Sequence, residues 1–134
     1  MFAAMLFAIS IVAVSQFAIY YWRAVLASVA AQPVSDQVLD AANVQNRVPV
    51  ARDFAQLAGL HDLTPELQGN RGGLGLVRFY YGLTKAIDTL VGARVPVVAA
   101  WSEREGSICA RYAAVLVDRR LQMNLAMAAS IRSC

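Results

Sequence analysis

The chain has 134 residues, 58% hydrophobic and 16% charged, with a formal net charge of +3, one histidine and two cysteines. Ordinary soluble domains carry about 25% charged residues, so the apolar excess belongs in a membrane, in a buried core or against a partner. The scattered arginines form no run that would track a phosphate backbone, which excludes nucleic acid. One histidine and two distant cysteines make no recognisable zinc set, and no other cofactor motif is present.

No charged side chain occurs before Arg23, and the segment from Phe2 to Trp22 contains neither Pro nor Gly. About 22 residues at 1.5 Å each span about 33 Å, the hydrocarbon thickness of a bilayer. Tyr20, Tyr21 and Trp22 stand immediately before Arg23, the order expected at a membrane surface, with amphipathic rings at headgroup depth and then a fixed charge in water. A single membrane crossing is therefore expected, with Tyr20, Tyr21, Trp22 and Arg23 at the interface. The one flanking arginine favours a cytoplasmic C-terminal domain. A cleaved signal peptide is the alternative, because Ser28-Val29-Ala30 before Ala31 has small residues where signal peptidase needs them. The missing basic n-region, the length of the apolar run and the intervening Arg23 count against it.

The first helix is expected to continue to about residue 32, where Pro33 stops it. Ser35 or Asp36 can cap a short helix from Gln37 to Ala42, and residues 33–50 otherwise read as a connector. Residues 51–134 then form the helical domain. It opens with a short helix from Arg52 to Leu60 that places Phe54, Leu57 and Leu60 on one face and leaves His61 near its end. Thr64-Pro65-Glu66 has the composition of another helix start, cut short by the glycines between Gly69 and Gly75. That loop, with Arg71 as counter-charge, is a weak phosphate-cradle signal. No strand pattern precedes it and no Lys-Ser/Thr follows.

From Leu76 to Val91, Leu76, Phe79, Tyr80, Leu83, Ile87, Leu90 and Val91 recur every three or four positions, an amphipathic helix with those residues on its apolar face. Pro96 suits the first turn of a long last helix reaching about Ile131. Its polar residues Arg104, Ser107, Arg111, Asp118 and Gln122 line up as one stripe. Glu103, Glu105 and Asp118 are expected to pair with neighbouring arginines on solvated surface. Trp101, Ile108, Tyr112 and Leu116 belong to a wide apolar arc that needs more than one packing partner.

These elements give an all-α chain: one N-terminal transmembrane helix followed by a small bundle of about four helices, the last one long. No nucleophile or metal motif points to catalysis. The expected role is an accessory or scaffold subunit of a membrane complex, binding a protein partner or a second copy through Trp101, Ile108, Tyr112 and Leu116. The alternative is a membrane-anchored enzyme or binder of lipid-like substrates, with Arg78 or Arg111 holding an anionic head beside an apolar cavity between the last two helices. A secreted helical protein released after Ala30 is the third reading.

Overall fold

A computed structural model describes residues 1–65 and 73–133 of the chain. Among these residues there is no strand. They form five α-helices: α1 Phe2–Ala30, α2 Asp36–Ala41, α3 Phe54–Leu63, α4 Leu74–Ile87 and α5 Pro96–Arg132.

α5 is the spine. Its 37 residues extend about 55 Å, and α1, α2, α3 and α4 all pack on it. The reason lies in its small residues. Gly106, Cys109, Ala110, Ala113, Ala114 and Val117 are buried in succession at helical spacing, a narrow furrow into which larger side chains of the other helices fit. Leu26 of α1, Val38 of α2, Phe54 and Leu57 of α3, and Leu74 and Val77 of α4 fill it.

α1 enters this core only at its end. Leu26 and Ala30 are buried, Trp22 is half-buried one turn earlier, and every residue before Trp22 is exposed. α1 is long and apolar enough to cross a membrane, and none of its most apolar stretch is buried against the protein.

A tight turn, Ala51–Asp53, leads into α3 and sits directly on α5. The Asp53 carboxylate accepts the Val50 N–H at 3.0 Å, the Tyr81 hydroxyl donates to the Ala51 carbonyl at 2.8 Å, and Phe54 stacks on Tyr81 with ring centroids 4.2 Å apart. This arrangement explains Gly106. A Cβ there would lie 2.6 Å from the Ala51 Cβ, so the glycine permits the close approach and does not bend the helix.

Two expectations change, at Ser35 and on α4. Thr64 closes α3, its hydroxyl donating to the Leu60 carbonyl at 2.7 Å. The helix expected to follow Thr64 and Pro65, together with Arg71, lies outside the described residues, as does Cys134. Ser35 precedes α2, but its hydroxyl is turned to Asp118 of α5 and not to the helix's own N–H groups. α4 is turned about its axis from the expected orientation, so that of the expected face Tyr80 and Ile87 are half-buried. Leu74, Val77 and Thr84 are buried, whereas Leu76, Phe79 and Leu83 are exposed. The periodicity was equally compatible with either side, and the phenol rings of Tyr80 and Tyr81 decide it by reaching hydrogen-bond partners in the interior. Past Ile87 the helix widens into one π-turn, Asp88–Gly92, before the chain reverses into α5.

Gly106→Ala should destabilise the domain by about 1–3 kcal/mol through overpacking against Ala51, even though alanine favours the helix by about 1 kcal/mol. Chemical unfolding in detergent checks the sign, and a stabilised variant would show that the turn can move away.

Candidate functional site

Of the three acids that sequence reasoning left on the surface of α5, Glu103 stays exposed beside Lys85, whereas Glu105 and Asp118 are taken inside. Glu105 is 1% exposed. Its carboxylate is bonded by the Arg23 guanidinium from α1 and accepts the Tyr80 hydroxyl from α4 at 2.9 Å. Asp118, 6% exposed, accepts the Ser35 hydroxyl and the Gln122 amide, the latter at 2.9 Å. Each acid joins α5 to a segment about eighty positions away in sequence. Neither is the solvated helix-surface residue that local ion pairing suggests, because an isolated carboxylate would not be buried without such partners.

These contacts leave little free acid–base capacity in the core. Burial, followed by the hydrogen bond to Glu105, raises the Tyr80 pKa well above the ordinary phenol value. Burial, followed by the nearby Glu105 charge, pushes the Cys109 thiol up to about 12, which keeps it protonated and inert at neutral pH. Among the described residues, no group of three or more His, Cys, Asp or Glu converges in a way that could hold a metal.

A second polar cluster pins α3 to α4 and α5. Arg78 donates to the Asp62 carboxylate at 2.6 Å and to the Ala58 carbonyl at 2.9 Å, and Arg120 donates to the His61 carbonyl at 3.1 Å. The Arg78 hydrogen bond holds the Asp62 pKa below its usual value. The His61 pKa is lowered, first by burial and then by the Arg120 charge. Its Nδ1 is buried without a hydrogen-bond partner and lies 3.7 Å from the Asp62 carboxylate, outside bonding reach.

The expected site residues therefore separate. Tyr20 and Tyr21 are exposed on α1, Trp22 packs against the core, and Arg23 forms the ion pair with Glu105. Ile108, Tyr112 and Leu116 are half-buried and pack against the core, so much of that arc is already covered; Trp101 is half-buried nearer the α4–α5 turn. Arg78 is committed to α3. Arg111 is exposed and lines, with Arg104, a groove of about 360 Å³ whose other wall is Ala27, Ala30 and Ala31 of α1. Arg78 and Arg111 thus do not share a pocket, and the groove lies between α1 and α5 instead of between the last two helices. What sequence reasoning missed was Glu105 and the outward row on α4. The phenol pair Tyr80-Tyr81 was the signal that could have oriented that helix.

Comparison of the chain with protein-family models, with curated proteins and with solved structures finds no match. Any functional reading rests on the geometry.

Arg23→Ala should cost roughly 3 kcal/mol of stability, because it strands a buried carboxylate, whereas Arg23→Met combined with Glu105→Leu should recover most of the loss. Unfolding of the single and double variants in one detergent measures both, and an additive double variant would deny the coupling. The lowered His61 pKa gives a pH signature. The unfolded chain binds a proton near pH 6.5 that the folded chain resists, so the contribution is present above 6.5 and is lost as pH falls toward the folded pKa. His61→Gln should flatten the decline in stability below pH 6.5, and an unchanged pH profile would contradict this.

Proposed function

We propose that this chain is a single-pass membrane protein whose helical domain serves as an accessory or scaffold subunit of a membrane complex. The observation that carries the reading is the outward face of α4. Leu76, Phe79 and Leu83 form one exposed row, with Phe79 71% exposed, on the helix that α5 holds beside the end of α1. An aromatic and two leucines at helical spacing, left uncovered close to an apolar anchor, suit a helix of a neighbouring subunit.

The burial of Leu26 and Ala30 and the Arg23–Glu105 pair support an anchor that stays attached. Cleavage after Ala30 would remove Leu26 from the core and leave Glu105 buried without its cation. Arg23 at the end of the apolar run favours a cytoplasmic domain under the positive-inside rule, and Arg104 and Arg111 flank the segment of α1 just beyond it. The groove they line favours a second reading, a binder of lipid-like anionic molecules, with the arginines meeting the charge and the alanines accommodating an apolar stem.

Affinity purification from native membranes in mild detergent, with intact-mass analysis, tests the proposal. The expected result is the full-length chain with a fixed stoichiometry of other subunits, and at least a tenfold loss of those subunits from Phe79→Asp with Leu83→Asp. Both side chains are exposed, so thermal unfolding should match the parent. A chain shortened at Ala30 would sink the anchor. Partners retained by the double variant would sink the docking row.

A further inference from the structure

Besides α1 and the outward row of α4, the end of the α4–α5 hairpin is a continuous exposed stretch of mostly apolar residues. Every residue from Thr89 to Val97 is exposed except Gly92, and Leu90 and Val97 are 77% and 75% exposed. Arg94 is the one charged residue in that stretch.

Contacts fix where this end points. Arg23 meets Glu105, Gln32 accepts from Arg119 at 2.6 Å, and Ser35 meets Asp118, so the end of α1 and α5 run in the same direction. α4 runs the other way, with Tyr80 on Glu105, the Ser102 hydroxyl on the Thr84 carbonyl and Lys85 3.7 Å from Glu103. The hairpin end therefore extends from the Arg23–Glu105 pair back toward the N-terminal, apolar part of α1. Nine residues separate Glu105 from Pro96, a reach of about 13 Å along the axis and less if the two helices cross at an angle.

We propose that the α4–α5 hairpin end, with Leu90, Val91, Val95 and Val97, is a second membrane contact that sits at the headgroup–acyl boundary of the leaflet from which α1 emerges. This rests on the membrane-anchor reading of α1. With Tyr20 to Arg23 at the bilayer surface, the surface plane cuts the hairpin between Glu105 and Pro96. The end then lies at most about 13 Å below the pair, and an inclined hairpin brings it to the depth of about 5–10 Å at which interfacial apolar segments seat. Trp101, one helical turn from Glu105 on the membrane side, falls at the depth indole rings favour. Arg94 has a long apolar stem and returns its guanidinium to the phosphates, which limits the immersion to the boundary. The composition of this turn, valine and leucine where a water-facing hairpin would carry polar residues, then has a physical cause.

The test uses the full chain in vesicles of phosphatidylcholine and phosphatidylglycerol, with Trp22→Phe and Trp101→Phe as background. One tryptophan is placed in turn at Phe7, at Leu90 or at Leu125, all exposed positions, and circular dichroism and thermal unfolding must match the background chain. Lipids brominated along the acyl chain should quench Phe7→Trp and Leu90→Trp several-fold more than Leu125→Trp, with iodide reaching Leu125→Trp alone. Val97→Trp should repeat the Leu90→Trp result. If Phe7→Trp is quenched by brominated lipid while Leu90→Trp responds to iodide, the anchor holds and the second contact is overturned. A Leu90→Trp protected from both quenchers places protein, a second copy or a subunit, over the hairpin and overturns it equally. Should Phe7→Trp itself escape brominated lipid, the anchor reading fails and this proposal falls with it.

Discussion

The Arg23–Glu105 ion pair is the constraint on which the rest of the molecule depends. It joins the helix with the long exposed apolar run to the helix that organises the core, and it does so where Glu105 is sealed from water. Without it, α1 would meet the bundle mainly through apolar contacts such as those of Trp22 and Leu26, which tolerate rotation. A buried charge pair is a weak source of net stability but a strong selector of register, because any other rotation of α1 leaves a carboxylate desolvated and unpaired. Tyr80 extends the constraint to α4 by donating to the second carboxylate oxygen. One acid thereby sets the relative position of three helices.

The same device recurs farther along α5. Asp118 takes Ser35 and Gln122 and fixes the start of α2, while Arg120 takes carbonyls at the end of α3. α5 thus carries small residues that let other helices approach and polar residues that lock each one in place. The furrow of Gly106, Ala110 and Ala113 gives little specificity by itself, since any apolar side chain can slide in a smooth groove. The polar locks supply what the furrow lacks.

Much of the architecture was legible from the sequence because it is written in local signals. The uncharged run to Trp22, the Pro33 stop and Pro96 in the first turn of α5 all act within a few residues, and the observed ends of α1 and α5 follow them. The fate of Glu105 and Asp118 was not legible. Arginines nearby on the same helix offer ordinary surface pairing, and nothing local reveals that the winning partners are 82 and 83 positions away. The face of α4 was ambiguous for a related reason. Apolar residues surround that helix on more than one side, so periodicity found a helix, while the hydrogen-bonding needs of two tyrosines selected which side went in. The row left outside, Leu76, Phe79 and Leu83, was read as core, and that shifted the expected interaction surface to the half-covered arc on α5.

The length of α5 has a mechanical consequence. Held at Glu105, the helix continues for 27 more residues to Arg132, about 40 Å, and its final turns, with Leu125 and Ile131 largely exposed, extend beyond the packed bundle. Because Asp118 and Arg120 lock α5 to the rest of the bundle, a 10° tilt of the bundle as a body about the level of Glu105 would displace that far end by about 7 Å. The helix is therefore a lever with a short arm at the α4–α5 hairpin and a long arm pointing away from the apolar part of α1. A small displacement at one end becomes a large one at the other, in the ratio of the two arms, Pro96 to Glu105 and Glu105 to Arg132.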